Sequence, residues 1–452
     1  MTSKTPAIDI SYRSIFTLTG PIFLANLAVI CSGTIDTVMA GRLSPADMAG
    51  VALGMAVASF IAVSLSDVLQ GLSPVAGYYF GARRFKTVGE SLYQAIFLAL
   101  IFAVPGVLIT IAADFWAAVS GMEPVAAGIA KTYLYCSAAA LPAILLSRGY
   151  VAVNAATSRP KITMIVTLFL VAFKVPVNGL FMYGWLGFPA MGGAGAGVST
   201  AILAWGGLLC YMAIWHCDPF YLPMRRGTRF AWNWKLVKHL LRVGVPIGVA
   251  GCCEMAAFSA MTIFLARLGD VIVAAHQIVA NLVYILYVFP FSVGIAGTVL
   301  VSQSLGDKKG WMARKATHRV LFITLVSALA VAAGVYGFRE EIVHLYTDDA
   351  SVAATAIGIV AFASLYHFVD GMQISATSLL RGYQITFLPM CIHAFMLCGV
   401  ALSVGAVLCY TDWITAPMGL PGFWVGSCLG LGIAALVIVP LCLHAAHEHA
   451  RD

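Results

Sequence analysis

One apolar run near the end of the chain, at residues 422–443, reads GFWVGSCLGLGIAALVIVPLCL and contains no charged side chain. A helix needs about 20 apolar residues to cross the hydrocarbon core of a bilayer, so this run is long enough for one crossing. Eleven similar runs precede it, near 15–39, 47–74, 88–112, 125–149, 161–184, 193–215, 241–265, 271–302, 316–337, 351–380 and 387–409. The sequence therefore predicts an all-α polytopic membrane protein with twelve transmembrane helices.

The composition of the whole chain points the same way. Of its 452 residues, 61% are hydrophobic and 10% are charged, whereas an ordinary soluble protein has roughly 45–50% apolar and about 25% charged residues. A water-exposed surface for a chain of this length would need far more charge. This excludes a soluble enzyme, a disordered chain and a disulfide scaffold.

The basic residues lie mostly on one side of the predicted spans. Of the 26 Lys and Arg residues, 21 fall in the N-terminus, the C-terminus and the loops after even-numbered spans. Only four fall in the opposite loops, and Lys174 lies within a span. Because cytoplasmic loops are enriched in Lys and Arg, we expect both termini to be cytoplasmic.

The longest polar stretch, residues 216–240, alternates basic side chains with Trp232 and Trp234. Trp prefers the membrane interface, and Lys and Arg are attracted to anionic headgroups. We therefore interpret this stretch as a cytoplasmic linker that rests on membrane lipids, and we expect no nucleic-acid partner.

The two halves of the chain repeat each other. At a shift of 225 residues, Pro21-Ile22 aligns with Pro246-Ile247, and at a shift of 233, residues 146–150 (LSRGY) align with residues 379–383 (LLRGY). Six spans per half place both halves in the membrane in the same orientation, related by a pseudo-twofold axis along its normal. This predicts an N-terminal six-helix lobe at 1–215 and a C-terminal lobe at 241–452. Two lobes that rock about a central cleft can expose that cleft to each side of the membrane in turn, as a carrier requires.

Five charged residues within the predicted spans stand out: Asp36, Asp67, Lys174, Glu254 and Asp370. A charge in the membrane is costly, so such residues normally face a partner or an aqueous cavity and are candidates for function. The repeat partners are uncharged, since Asp36 aligns with Met261 and Asp370 with Ser137. This asymmetry predicts that one lobe is specialised for ions.

The second half carries the larger set of candidate ligands. Tyr366 and Asp370 are four residues apart on one helix face, Glu254 lies in span seven, and Gln277 and Asn281 lie in span eight. These oxygen-rich side chains suit Na⁺, and a desolvated pair of carboxylates equally suits a proton. The alternative for the acids is a neutral hydrogen-bonded role, and for the two amides a hydrogen bond between helices.

Several short stretches carry a resemblance to a known family. They are Asp36–Gly41 (DTVMAG), Gly244–Ile247 (GVPI), Ala274–Gln277 (AAHQ), Leu379–Gly382 (LLRG) and Pro176–Asn178 (PVN), with glycines at 192, 193, 195 and 197. Together they resemble the multidrug and toxic compound extrusion (MATE) family, close to its NorM-like bacterial branch, over nearly the whole length.

The resemblance implies two six-helix lobes around a V-shaped cleft. It also implies export of lipophilic, often cationic compounds by antiport with Na⁺ or H⁺, with no cofactor. Glu254, Tyr366 and Asp370 match the family's second-lobe cation site, and Asp36 and Asn178 match its first-lobe polar site.

One position departs from the family pattern. Span five of the family often reads Asn-x-Pro-x-Asn, whereas this chain has Lys174 four residues before Asn178. We hypothesise that the ammonium pairs with Asp36, takes the place of a cation there, and forms a network that also includes Asp67. The alternative is that Lys174 extends towards the headgroups.

The substrate surface is less clear from the sequence. Met55, Phe60, Phe258 and Met261 are candidates for an apolar cleft that adapts to many shapes, together with Met255. In a membrane protein such residues also commonly face lipid or neighbouring helices. Acidic groups near such a cleft favour organic cations as substrates.

Two other functions compete with drug export. A lipid-linked intermediate flippase of the same superfamily would need a cationic cleft, and Lys174 is the only basic residue in the middle of a span. An intramembrane enzyme would need clustered His or acidic ligands near one membrane face, and no such motif occurs in the sequence. We expect a monomeric transporter that is not an enzyme.

Overall fold

The computed structural model describes residues 8–451. In this part of the chain the regular structure is helical, without strands. Twelve helical segments are long and apolar enough to cross a membrane, and each coincides with one of the runs found in the sequence. The predicted fold class and the number of spans are therefore confirmed.

The first half contains nine α-helices. They are α1 (Tyr12–Gly41), α2 (Pro45–Leu69), α3 (Leu72–Gly81), α4 (Phe85–Ile111), α5 (Ala113–Ser120), α6 (Pro124–Ala156), α7 (Pro160–Met182), α8 (Gly195–Cys217) and α9 (Leu222–Arg225). Short 3₁₀ turns lie at Trp185–Gly187, Gly192–Ala194 and Pro219–Tyr221. Span two is divided between α2 and α3, and α5 is a short helix outside the predicted spans.

The second half contains eight α-helices. They are α10 (Trp234–Leu265), α11 (Asp270–Gly306), α12 (Gly310–Gly337), α13 (Arg339–His344), α14 (Ala350–Gly382), α15 (Phe387–Ala394), α16 (Leu402–Tyr410) and α17 (Leu420–Glu448). A π-helical stretch, Phe395–Ala401, joins α15 to α16, and a 3₁₀ turn at Ala266–Leu268 follows α10. Span eleven is thus a continuous helix with a wider turn in its middle.

The helices form two compact units. The first unit comprises Gly20–Gly248, and the second comprises the described residues from Val249 onward together with those before Gly20. Both boundaries fall inside helices, so α1 and α10 each contribute to both units. Each boundary also lies next to a repeat-matched proline, Pro21 in α1 and Pro246 in α10.

Glycines allow helices of the first unit to cross at close range. A Cβ atom on Gly244 would lie 2.0 Å from the carbonyl oxygen of Val68, and a Cβ on Gly71 would lie 2.7 Å from the backbone of Gly244. Because only glycine leaves room for such contact between backbones, the Gly244-Val245-Pro246 stretch fixes where α10 crosses the end of α2.

Matched glycines serve the same purpose in both halves. A Cβ on Gly197 in α8 would lie 2.9 Å from the carbonyl oxygen of Tyr133, and a Cβ on Gly426 in α17 would lie 2.6 Å from that of Ala401. These two glycines correspond at a shift of 229 residues. The repeat therefore preserves close helix contacts as well as the number of spans.

The segment between the halves is partly folded. Asp218 accepts a hydrogen bond from the backbone N–H of Phe220 at 2.9 Å and forms an ion pair with Arg159 at 2.5 Å. The buried Tyr221 donates a hydrogen bond from its hydroxyl to Oδ1 of Asn154 at 2.6 Å. These contacts attach the start of the predicted linker to the end of α6 and the start of α7.

Candidate cation sites

The second unit brings together three residues that the sequence singles out. Tyr366 and Asp370 lie one turn apart on α14 and are 3% and 4% exposed, while Glu254 on α10 keeps 31% of its side chain exposed. The two carboxylates interact electrostatically with each other and with the phenol. We call Glu254, Tyr366 and Asp370 the second-unit site.

Aromatic rings surround this site. The ring of Tyr366 packs edge-on against Phe258 at 6.2 Å between centroids and against Trp424 at 5.8 Å. The ring of His276, in the AAHQ stretch, also packs against Trp424, at 5.9 Å between centroids. This apolar wall lowers the local dielectric constant, which strengthens the attraction between the carboxylates and any cation.

A histidine that the sequence analysis did not single out completes the surroundings of Glu254. His393 on α15 is 7% exposed, and its Nε2 lies 3.9 Å from Oε2 of Glu254. Its Nδ1 lies 3.0 Å from Nε2 of the buried Gln373, which is also 3.2 Å from Oγ1 of Thr377. A histidine inside an apolar span was visible in the sequence, but only the fold shows which carboxylate it meets.

The two amides of span eight lie in a different environment. Gln277 and Asn281 are both on an exposed face of α11, and Oδ1 of Asn281 accepts a hydrogen bond from the hydroxyl of Tyr346 at 3.1 Å. Their participation in ion binding stays a prediction.

The first unit contains a buried ion pair. Nζ of Lys174 lies 3.0 Å from Oδ2 of Asp36 and donates a hydrogen bond to Oγ1 of Thr200 at 2.7 Å. Nδ2 of Asn178 donates to Oδ1 of Asp36 at 2.7 Å. Lys174, Asp36 and Asn178 are 2%, 3% and 0% exposed. We call these three residues and Thr200 the first-unit site.

This geometry identifies what Lys174 contacts. Both oxygens of Asp36 are engaged, one by the ammonium and one by the amide of Asn178. Since the ammonium is buried and paired, Lys174 does not extend towards the headgroups. The spacing of Lys174 and Asn178, four residues apart across Pro176, places both on one face of α7 as the sequence predicts.

Asp67 does not belong to this network, which corrects the prediction. It lies in the last turn of α2, where it accepts a hydrogen bond from Gln70, whereas Asp36 lies near the end of α1, which leads into the start of α2. A helix of the length of α2 spans roughly 37 Å at 1.5 Å per residue, so the two carboxylates lie towards opposite ends of it. The presence of a charge within a span does not show this separation, because two charges can pair only if they also lie at the same depth in the membrane.

The predicted substrate residues fall into two groups. Met261 is 3% exposed and packs in the apolar core of the second unit, so it contacts neighbouring helices rather than lining a cleft. Phe60 is 41% exposed, and Met55, Met255 and Phe258 are partly buried. Phe258 contacts Tyr366, which places an apolar side chain beside the second-unit site.

The fold and these sites define a class of protein: a polytopic helical membrane transporter built from two repeated halves, with buried carboxylates in each. A family model described as MatE matches the chain twice, at residues 21–180 and 246–410. The two matches begin 225 residues apart, as the internal repeat does. The chain belongs to the MatE family.

Curated relatives extend over nearly the whole chain. A probable multidrug resistance protein NorM of Aromatoleum aromaticum is 34% identical over 438 residues, covering 94% of each chain. The multidrug resistance protein NorM of Aliivibrio fischeri is 32% identical, covering 93% of this chain and 92% of its own.

Solved structures share the fold. The eukaryotic MATE transporter AtDTX14 superposes with a TM-score of 0.86 at 17% identity, covering 97% of this chain and 98% of its own. A structure titled as MATE in the straight conformation gives a TM-score of 0.87 at 17% identity, with 97% of each chain covered.

Proposed function

We propose that this protein is a cation-coupled antiporter that exports lipophilic, often cationic drugs across a bacterial inner membrane, with both termini in the cytoplasm. One observation carries the proposal: Glu254 and Asp370 lie together in a largely buried, aromatic-walled site of the second unit. Two carboxylates in a low-dielectric environment repel each other, so the pair favours binding a Na⁺ ion or a proton. The names of the relatives, multidrug resistance proteins, support drugs as the cargo.

The coupling follows from alternating access. An ion gradient drives export only if the ion binds the outward-open and inward-open states with different affinity. Glu254 lies on α10 and Asp370 on α14, so a small displacement between these two helices changes the distance between the carboxylates. Such a displacement alters ion affinity without any new residue entering the site.

The first-unit site has a different role in this proposal. The ammonium of Lys174 occupies the space beside Asp36 that a bound cation would need. We infer that this site binds no coupling ion and that it stabilises the packing of α1, α7 and α8. The neutralised pair adds no net positive charge, which favours cationic over anionic cargo and argues against a lipid-linked phosphate substrate.

The proposal is tested by ethidium export from proteoliposomes under separately imposed Na⁺ and pH gradients. Wild-type protein should export ethidium with at least one of the gradients, and Glu254→Gln or Asp370→Asn should reduce export to the level of protein-free vesicles. The matched controls are Glu340→Gln and Asp348→Asn, which make the same changes at exposed positions near α13. Gradient-driven export at wild-type rates in both site variants would refute the assignment of the cation site.

A separate experiment addresses Lys174. We expect Lys174→Asn to change the ion dependence or the substrate profile, because it leaves Asp36 without its built-in cation and opens the site to Na⁺ or H⁺. An unchanged ion dependence and substrate profile would show that the ammonium does not exclude cations.

A further inference from the structure

The imidazole of His393 is held in place by two groups. Nδ1 lies 3.0 Å from the amide nitrogen of Gln373, and Nε2 points at Glu254, 3.9 Å from Oε2. With the amide N–H donating to Nδ1, that nitrogen is the acceptor, so the proton of the neutral ring resides on Nε2 and faces the carboxylate. Rotation of the amide would present its oxygen to Nδ1 instead. Gln373 can therefore satisfy both the neutral and the protonated imidazole.

The polar groups of His393 and Gln373 are buried, and their burial costs free energy unless they form hydrogen bonds. His393 is 7% exposed and Gln373 is 1% exposed, and Oε1 of Gln373 is buried without a hydrogen-bond partner among the described residues. Gln373 and Asp370 lie three residues apart on one face of α14. The polar line Thr377, Gln373, His393, Glu254 thus ends at the second-unit site.

A distance of 3.9 Å is too long for a direct hydrogen bond and too short for a water molecule between the two atoms. Glu254 keeps 31% of its side chain exposed, so its carboxylate has room to move by the roughly 1 Å that separates this distance from a charge-assisted hydrogen bond. The carboxylate can therefore meet either of two competing groups, a coupling cation shared with Asp370 or the Nε2–H of His393.

We propose that His393 is a positioning residue that competes with the coupling cation for Glu254. When the cation leaves, Glu254 moves towards the imidazole and accepts a hydrogen bond from Nε2–H; when the cation returns, that hydrogen bond breaks. This inference rests on the proposed cation site. Besides Glu254 of α10, the charged group that acts on the imidazole is Arg381 in the last turn of α14.

The competition predicts a specific kinetic change. Removing the competitor in His393→Leu should let the cation bind more tightly and leave more slowly, so both the half-saturating cation concentration and the maximal export rate should fall. A fall of about tenfold in the half-saturating concentration corresponds to one charge-assisted hydrogen bond. A merely structural role for His393 would instead raise that concentration or unfold the protein.

The experiment measures initial rates of ethidium export by the full-length protein in proteoliposomes. One arm varies external Na⁺ at equal pH on both sides, and the other varies external pH in Na⁺-free choline medium, so that either ion is covered. His393→Gln keeps an N–H donor near Glu254 and should therefore give an intermediate effect. Gln373→Leu, which frees the imidazole, should act in the same direction as His393→Leu.

Controls separate the possible outcomes. His318→Gln changes an exposed histidine on α12 and should leave both parameters unchanged, and thermal unfolding of each variant reports whether it is folded. If Glu254→Gln abolishes gradient-driven export while folded His393→Gln and Gln373→Leu retain the wild-type half-saturating concentration, the competition is refuted and the cation site stands. If Glu254→Gln retains export, the cation site itself is wrong.

Discussion

The two units surround their intramembrane carboxylates with different groups. In the first unit, Asp36 is neutralised by a lysine of the same chain at 3.0 Å. In the second unit, Glu254 and Asp370 lie together with a phenol and an imidazole. Two repeated halves can thus share a helical framework while one pairs its buried carboxylate with a lysine and the other, at different positions of the repeat, groups two carboxylates. Buried charge indicates function only once its partner is known.

The largest expected effect is a loss of transport in a variant of the second-unit site, but not in a variant of the first-unit site. Asp370→Asn in the second unit should reduce gradient-driven export to background, whereas the double variant Asp36→Asn/Lys174→Met should continue to export, since it removes both members of a pair and leaves no lone charge. Ethidium export from proteoliposomes measures both. Loss of export in the folded double variant, or full export in Asp370→Asn, would reverse the roles of the two sites.

The next effect concerns stability. Lys174→Met alone leaves Asp36 buried without its counter-charge, which should lower the free energy of unfolding by about 3–5 kcal/mol, and Asp36→Asn in the same chain should restore most of it. Thermal unfolding in detergent, followed by circular dichroism, gives the comparison. Equal stability of the single and double variants would show that the pair is not coupled.

A smaller effect tests whether the repeat preserves packing in both halves. Gly197→Ala and Gly426→Ala should each destabilise the protein by about 1–3 kcal/mol, because the added methyl group meets a backbone carbonyl. Gly206→Ala and Gly432→Ala in the same two helices have open space around the new Cβ, and they should be neutral or stabilising by up to about 1 kcal/mol. Similar behaviour of all four variants in thermal unfolding would contradict this view of the glycines.

The smallest expected effect concerns the partly exposed ion pair of Asp218 and Arg159, which serves as a reference for the buried pair of Asp36 and Lys174. Burial alone would raise the pKa of Asp218. The backbone N–H of Phe220 and the guanidinium of Arg159 together lower the pKa by more than burial raises it, so the pKa of this carboxyl lies below its usual range. The stability it contributes is present above a pH of about 3.8 and is lost as the pH falls through the lowered value. Asp218→Asn should cost less than about 1 kcal/mol at pH 7.

That cost should fade in acid, as thermal unfolding across pH 3–7 would show. A cost as large as that of Lys174→Met would mean that distance, rather than burial, decides the strength of an ion pair in this protein.

Hydropathy predicted the fold because the hydrocarbon core of a membrane permits very few backbone structures. Each crossing must satisfy its own backbone hydrogen bonds in a helix, so twelve apolar runs become twelve helical spans wherever they lie in the chain. The repeat was equally visible, since its polar and glycine positions recur at a nearly constant shift.

Contacts between distant spans were predicted less well. The pairing of Lys174 with Asp36 was predicted from the position of Lys174 four residues before Asn178, which belongs with Asp36 to the family's first-lobe site. Asp67 was added to this network only as another charge within a span, without regard to its depth along α2. His393 was missed since nothing in its own span indicates that α15 lies beside α10. Met261 was misplaced because an apolar side chain looks the same in a core and in a cleft.

The π-helical stretch Phe395–Ala401 follows His393 directly. A π turn holds one residue more than the corresponding α turn, so a regular α-helix over this stretch would rotate α15 relative to α16 by about 100°, with i→i+4 hydrogen bonds in place of i→i+5 ones. The wider turn therefore determines the direction in which His393 points, and with it the contact between the imidazole and the carboxylate of Glu254 on α10.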